Sequence, residues 1–540
     1  MDKQIASTSK VLVIDDQTLA KGYMKYSLEE LGFEDIIYIE RAQDALVKIR
    51  QTRFDLIICS YDLKKDLDGY FLYDELKANQ EISPGTAFVF ISADTSAELI
   101  HSIVELQPDD FLAKPFTVAE MDKRLTKLMA RKRALKKIYR KMDKGDMPGA
   151  LEEVEQFLTT PENSQYFPIA LKTKGELFLA CNKAQEAKDF YSAILNVQNF
   201  TWAQVGLVKA LLLLDEDEEA EKRILRLAFK PDSQLLAYDL LTMLQIKKED
   251  YETALESTVM ATQVSPRNIR RHKQAVDLSR INNDYKTQFE EAKNIVKFAK
   301  NSIHDKPEIY LNVARAGIDY ALTTDEDESF KLAQQASDFL RQFEASGNKQ
   351  EIEEQLAVAN ARLMYLQNDK ENALKMMEQF SNNNWENADM EDLLDKAKAF
   401  HELGLHPQSQ AIMDEIEKRC MSGDDQSQLF LKYVKKEKQQ RIDIKDSPRD
   451  LNNHAVEFYE RGDLESALKS FRQAFTVMPK NPSIALNLLQ TMAMRAREKG
   501  LPKGAKEVIN SCIKTIEEGQ LNEEQQLRYE KIRGFLDSLG

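Results

Sequence analysis

Residues 11–16 read VLVIDD, an unbroken apolar run that stops at two aspartates. Four apolar residues without polar alternation describe a strand covered on both faces. The same pattern returns in FDLIIC (54–59), AFVFIS (87–92) and DDFLAKPF (109–116), and more briefly at Ile36–Ile39. Helical apolar spacing fills the intervals, at Leu19–Leu31, Ala42–Ile49, Tyr70–Lys77, Ser96–Glu105 and Val118–Met129. Short doubly buried strands alternating with helices predict an α/β domain with a doubly wound, five-stranded parallel sheet. Such sheets bind ligands beyond the carboxyl ends of their strands. The polar residues fall at those ends: Asp15 and Asp16 after the first strand, Ser60 and Asp62 after the third, Ser92 after the fourth and Lys114 after the fifth. An acid pair can hold a hard cation such as Mg²⁺ through oxygen. A hydroxyl and an ammonium opposite it can bind phosphoryl oxygens.

These stretches together resemble the response-regulator receiver domain over roughly the first 125 residues. The resemblance implies that Asp15 and Asp16 are the metal-binding acids, Ser92 the switch hydroxyl, Phe111 the aromatic that moves with it, and Lys114 the phosphate-facing lysine. It also implies a cis peptide before Pro115. One position departs from the family. Its phosphoacceptor aspartate lies five residues after the aspartate that opens the third strand; here that opening residue is Asp55, and Ser60 stands at the acceptor position. A serine cannot form the acyl phosphate of receivers, and it removes one negative charge from the cation site. Asp62 offers a competing register, because a shift of two residues keeps the side-chain face. Its side chain would sit about 6.6 Å further along the chain. The distance to Gly69 is nine residues from Ser60 and seven from Asp62, against eight in the family. The expectation is a phosphorylation-independent receiver that requires no cofactor and binds Mg²⁺ weakly, if at all, at Asp15 and Asp16. The alternative is a working phosphorelay receiver with Asp62 as acceptor. A purely structural use of these residues is a third reading, with Asp15 capping a helix and Lys114 neutralising the acid pair.

After Met129 the pattern changes to helices of about twelve residues joined by short polar turns, which predicts an all-α helical-repeat solenoid over 131–540 behind a receiver-like domain of residues 1–130. LNNHAVEFYERGDLESALKSFRQAFTVMP (451–479) resembles a tetratricopeptide repeat, with Ala455, Phe458, Ala467, Phe471, Ala474 and Pro479 at its defining positions. Alanines let two antiparallel helices approach, aromatics fill the groove, and the proline stops the second helix. The frame returns at Gly175, Phe178, Ala187, Tyr191 and Ile194, and at Ala254, Ala261 and Pro266. Ala187, Ala220 and Ala254 are spaced by 33 and 34 residues, matching the period of ~34 for such repeats. The polar stretch 435–450 reads as a helix and turn that could act as a hinge. TTDEDE (323–328) reads as an acidic loop, and Glu523–Leu539 as a capping helix with Leu527, Ile532, Phe535 and Leu536 on one side. Val118–Met129 runs into Arg131–Met142 without Gly or Pro, which predicts one continuous helix from the receiver into the array.

Composition supports this division. Only 18 glycines and 14 prolines occur in 540 residues, about half the usual share, which argues against an all-β chain. The net charge of −15 repels a phosphate backbone as a whole. Eleven basic residues crowd Lys123–Lys144. That stretch reads as a solvated helix face; nucleic acid is an unlikely partner, and an acidic protein surface is the other candidate. The four cysteines are widely separated and form no CxxC pair, so zinc and disulfide frameworks are not expected. His401 and His406 are five residues apart, not the four that a helical zinc motif needs. No leader-like segment and no run of ~18 apolar residues is present, so a cytoplasmic location and no membrane partner are expected. No output enzyme motif appears. The sequence therefore predicts a signalling adaptor that binds a protein on its solenoid and could form a homodimer; the alternatives are the phosphorelay regulator and, more weakly, a nucleic-acid regulator acting through the 123–144 helix.

Overall fold

Five strands, β1 (Lys10–Ile14), β2 (Asp35–Ile39), β3 (Leu56–Ser60), β4 (Ala87–Ser92) and β5 (Asp110–Ala113), form one parallel sheet in the computed structural model of the chain. Their order is β2-β1-β3-β4-β5. The register pairs Val11 with Ile36 and Leu56, Leu56 with Ala87, and Val89 with Asp110. The structure describes residues 2–540 apart from 64–68, 95–96, 232, 301, 303, 325, 347–348, 381–384, 386–387, 422–424, 447, 502–503, 520 and 539–540. Ser96, Asp325, Ser447 and Leu539, which fall within expected elements, lie outside the described residues.

The sheet explains its own composition. Every residue of β3 and β4 is buried, as are Val11–Ile14 of β1. On one face Val11, Val13, Ile58 and Val89 pack with Met24 and Leu28 of α2 (Thr18–Glu30) and Met121 and Leu125 of α6 (Val118–Ala134). The other face carries α4 (Gly69–Ala78), with α3 (Ala42–Gln51) and α5 (Ala97–Leu106) packed beside it. There Tyr73 of α4 lies 4.1 Å from the Phe88 ring of β4, centroid to centroid. An element not foreseen is α1 (Lys3–Thr8), capped by Asp2, which accepts from the Gln4 N–H at 2.9 Å and buries Ile5 and Ala6 in the first of these cores.

The chain divides into two units, residues 1–268 with 299–305, and residues 269–298 with 306–540. In the first, the expected continuous helix is interrupted. α6 stops at Ala134, Leu135 takes φ −88° and ψ 5°, and α7 (Lys136–Asp143) begins anew. Leu135 and Ile138 are fully buried in a cluster with Ala150, Leu151 and Ala170. The turn places both side chains in that core, a tertiary demand that no breaker residue announces. Helical hairpins follow: α8 (Met147–Leu158), α9 (Phe167–Ala180), α10 (Ala184–Val197), α11 (Thr201–Leu213), α12 (Asp217–Ala228), α13 (Gln234–Lys247) and α14 (Tyr251–Val264). Tyr191 of α10 is wedged between two glycines. A Cβ on Gly175 or Gly206 would come within 2.6 or 2.2 Å of its ring, so the helices approach as closely as they do because neither position has a side chain.

The second unit is all-helical. Ala455, Ala467, Phe471 and Ala474 lie in one buried core with Leu486, Leu489 and Cys512. The helix expected near the C-terminus spans Glu523–Ser538; Ile532 is buried and Phe535 and Leu536 pack on the same core, but Leu527 is 60% exposed and takes no part in it. The acidic stretch 323–328 also differs from expectation. Its last three residues open the helix Glu326–Ser346, where Glu328 accepts from the Tyr320 hydroxyl at 3.0 Å and from Thr324 at 2.9 Å. Carboxylates are favoured in a first helical turn by the backbone dipole. His401 is buried and its Nε2 lies 3.1 Å from the Ile444 carbonyl. Among the described residues no helix is long and apolar enough to cross a membrane.

The interior of this unit also holds a charge network. Arg362, 1% exposed, donates to Asp319 at 2.7 Å, Asp395 at 2.7 Å and Glu402 at 2.6 Å. Lys398 completes Asp319 at 2.6 Å, and Arg315 bridges Asp392 and Asp395. Its two cationic partners hold the Asp319 carboxyl well below the usual range, against the opposing effect of burial. Removing one member leaves buried carboxylates uncompensated. Arg362→Ala is expected to destabilise the chain by roughly 3–5 kcal/mol, read as a lower midpoint in urea unfolding, whereas Arg341→Ala, at an exposed pair, is expected to cost less than ~1 kcal/mol.

Candidate functional site

The carboxyl ends of β1, β3, β4 and β5 bring the polar residues together. Backbone bonds fix the edges of the pocket: Tyr61 N–H donates to Ile91 O at 2.9 Å and Lys114 N–H to Ser92 O at 2.7 Å. The Lys114–Pro115 peptide is cis. Asp15 and Asp16 are buried, 3% and 8% exposed. Lys114 reaches Asp15 Oδ2 at 3.0 Å, and Asp15 Oδ1 accepts from the Gln17 N–H at 2.9 Å, directly ahead of α2. Across the pocket, Ser92 Oγ donates to Asp62 Oδ2 at 3.2 Å and accepts from Asp94 N–H at 3.0 Å.

Ser60 is the last residue of β3 and pairs with Ile91. Its hydroxyl donates to the Asp62 carbonyl at 3.1 Å. Asp62 lies beyond the strand in an exposed position. Thus β3 ends with a serine, and the carboxylate two residues on folds back to the Ser92 hydroxyl. Gly69 tightens the same corner, since a Cβ there would stand 2.2 Å from the Ser60 carbonyl oxygen. Phe111 is half-buried on β5 opposite Phe90, and its carbonyl accepts from Arg124 at 2.8 Å. Burial, and secondarily the Asp15 charge, push the neighbouring Cys59 thiol far up, which leaves it a neutral core group.

Asp15 and Asp16 supply two carboxylates to a cation, but both oxygens of Asp15 already accept hydrogen bonds. Among the described residues no group of three or more His, Cys, Asp or Glu side chains is placed to hold a metal ion. A divalent cation held by Asp15 and Asp16 would share Asp15 with the Lys114 ammonium.

A second cluster adjoins the pocket. Tyr61, between Ser60 and Asp62, is buried, and its hydroxyl accepts from Arg267 Nη1 at 3.2 Å. The Arg267 guanidinium lies over the rings of Tyr61, Tyr70 and Phe71 at 5.4, 5.1 and 5.5 Å. On either side of it Ser265 and Asn268 donate to Glu105 of α5, the latter at 2.6 Å. The Phe71 ring meets His304 edge-on at 5.6 Å. Sequence reasoning missed this cluster. The adjacent aromatics Tyr70 and Phe71 were a local signal of an aromatic surface, but Arg267 stands about two hundred residues away and has none.

The geometry and the comparisons agree on the class of this domain. The family profile of the response regulator receiver domain matches residues 11–126, and that segment is a receiver domain of CheY-like, two-component signalling. Its relatives include "Probable chemotaxis protein CheY" of Rhizobium etli, 26% identical over 117 residues that make up 22% of this chain and 89% of that protein. Chemotaxis protein CheY-3 of Vibrio cholerae is 23% identical over 131 residues, 24% of this chain and 99% of its own length. Among solved structures, the receiver domain of Francisella response regulator 1452 shares 30% identity, with 23% of this chain and 98% of that one covered and a TM-score of 0.21. The receiver of the Pseudomonas aeruginosa sensor histidine kinase PA1611, 23% identical over 23% of this chain and 98% of its own with a TM-score of 0.21, is described with magnesium coordinated in its active-site cleft.

Ligand charge dominates hard-cation affinity. Ser60→Asp is therefore expected to strengthen Mg²⁺ binding by roughly tenfold or more over the wild type, measured by calorimetric titration. Equal affinity in both proteins would show that the serine is not what limits the site.

Proposed function

We propose that the chain is a signalling adaptor in which a receiver-like domain, residues 1–130, acts without phosphorylation and is coupled to a protein-binding array of tetratricopeptide-like repeats, residues 131–540. The observation that carries this reading is the self-pairing of the pocket. Lys114 and Ser92, the two groups that would meet phosphoryl oxygens, are each engaged by a carboxylate of the chain itself, Asp15 and Asp62. Ser60 at the end of β3 offers no carboxylate for an acyl phosphate. Mg²⁺ binding is weak in this reading and no cofactor is required. The repeats present an extended surface suited to a protein partner, nucleic acid and membrane are not partners, and the protein acts in the cytoplasm.

The phosphorelay alternative has one observation in its favour. Asp62 is exposed, and its carboxylate is within 3.2 Å of Ser92 Oγ, where an acceptor would need a hydroxyl beside it. Wild type and Asp62→Asn, each incubated with Mg²⁺ and acetyl phosphate, separate the two readings. The adaptor reading expects no acid-labile phosphate on either protein. Incorporation by wild type that Asp62→Asn abolishes would replace it with the phosphorelay.

Coupling is carried by Arg267 through Tyr61, because Tyr61 is bonded in sequence to both Ser60 and Asp62. A shift of that loop moves the aromatic cage directly. Asp62→Asn is expected to alter amide hydrogen exchange in residues 251–268, and Arg267→Ala to suppress that response while increasing exchange around Tyr70. An unchanged pattern at 251–268 in Asp62→Asn would refute this route.

A further inference from the structure

At the opposite end of the sheet, by the amino ends of β3 and β4, lies a cavity of about 660 Å³. It belongs wholly to the first unit and is remote from the acidic pocket in the fold. Arg53, Lys132, Arg133, Lys136, Lys137 and Arg140 line it, against only two carboxylates, Asp55 and Asp143. The two acids are already in use. Asp143 pairs with Arg53 at 3.3 Å and accepts from Ser83 at 2.9 Å, and Asp55 accepts from the Lys10 N–H at 2.9 Å. Lys132 is likewise taken, by Asp109 at 2.8 Å and the Pro84 carbonyl at 2.9 Å.

Arg133, Lys136, Lys137 and Arg140 differ. All four are exposed, and none makes an ion pair among the described residues. The break at Leu135 sets the last turn of α6 beside the first turns of α7, and the four cations end up around one cavity instead of spreading along a single rod. Like charges so placed repel one another, and a concave wall of one sign concentrates counter-ions. The charge network around Arg362 is internally matched; this wall is not. The cavity is not purely polar either. Ile5, Phe54, Met129 and Tyr139 contribute to its lining. Its volume falls in the range of about 300–1,000 Å³ typical of small-molecule sites. That size admits a nucleotide.

We propose that this cavity is a binding site for a small polyphosphate-bearing molecule of nucleoside triphosphate size, with its phosphates on Arg133, Lys136, Lys137 and Arg140 and its base toward Phe54 and Tyr139. Four free cations match the roughly four negative charges of a triphosphate, and arginine forks and lysine ammoniums are its usual partners. Through α7 the ligand would bear on the first buried cluster of the helical array, around Leu135 and Ile138.

The test uses the full chain at physiological ionic strength, titrated calorimetrically with ATP, GTP, inorganic tripolyphosphate and a single-stranded 20-mer. Saturable nucleotide binding is expected. The exposed double variant Lys137→Gln/Arg140→Gln should weaken it at least ~10-fold, through the loss of two charge-assisted contacts. Lys123→Gln/Lys127→Gln, the same charge change at exposed positions of α6 outside the cavity, should leave it unchanged. No saturable binding of either nucleotide, or an equal loss in both double variants, would overturn the site. Tripolyphosphate binding as tightly as ATP and GTP would overturn the place given to the base. Oligonucleotide binding stronger than nucleotide binding, and equally sensitive to Lys123→Gln/Lys127→Gln, would replace the cavity with an extended nucleic-acid surface.

Discussion

A parallel sheet covered by helices on both faces has no room for an uncompensated polar side chain along its strands. That constraint organises the first unit. β3 and β4 are buried from end to end and β1 from Val11 to Ile14, so charged and hydroxyl groups are confined to the strand ends and to the turns beyond them. Parallel strands direct all their carboxyl ends to one edge, and four separate strand ends deliver Asp15, Asp62, Ser92 and Lys114 to one place. The chemistry of the pocket follows from the core and is not added to it.

Within that edge the groups settle their charges among themselves. The Lys114 ammonium is held by Asp15, and the Ser92 hydroxyl by Asp62. The two pairs sit in different settings: Asp15 is buried, whereas Asp62 is exposed. The neighbouring Tyr61–Arg267 contact joins the pocket's edge to a residue beyond the receiver: the residue between Ser60 and Asp62 meets a guanidinium that follows α14.

The second unit solves a related problem differently. Helical repeats usually keep charge on their outer faces, yet here Arg315, Arg362, Asp319, Asp395, Lys398 and Glu402 lie inside. Their mutual hydrogen bonds make that burial tolerable. Well-packed apolar residues can often replace such a network at little cost, whereas removal of a single member leaves buried charge uncompensated.

The sequence by itself determined the receiver sheet, because doubly buried strands leave an unmistakable apolar run and their ends must carry the polar residues. VLVIDD, FDLIIC and AFVFIS placed three strands to within a residue or two, and the alanine and glycine positions at Ala187, Gly175 and Ala467 marked where helices cross closely. These are local rules, readable over a few turns. Only the tertiary structure decided the rest. The turn at Leu135 arises from burial of Leu135 and Ile138 in a core assembled from later helices, not from any breaker. The bond from Ser92 to Asp62, the clamp of Arg267 on Tyr61 and the ion pairs of Arg362 join residues 30 to 206 positions apart. A charged residue reads the same in sequence whether it faces water or a distant partner, and only packing tells the two apart.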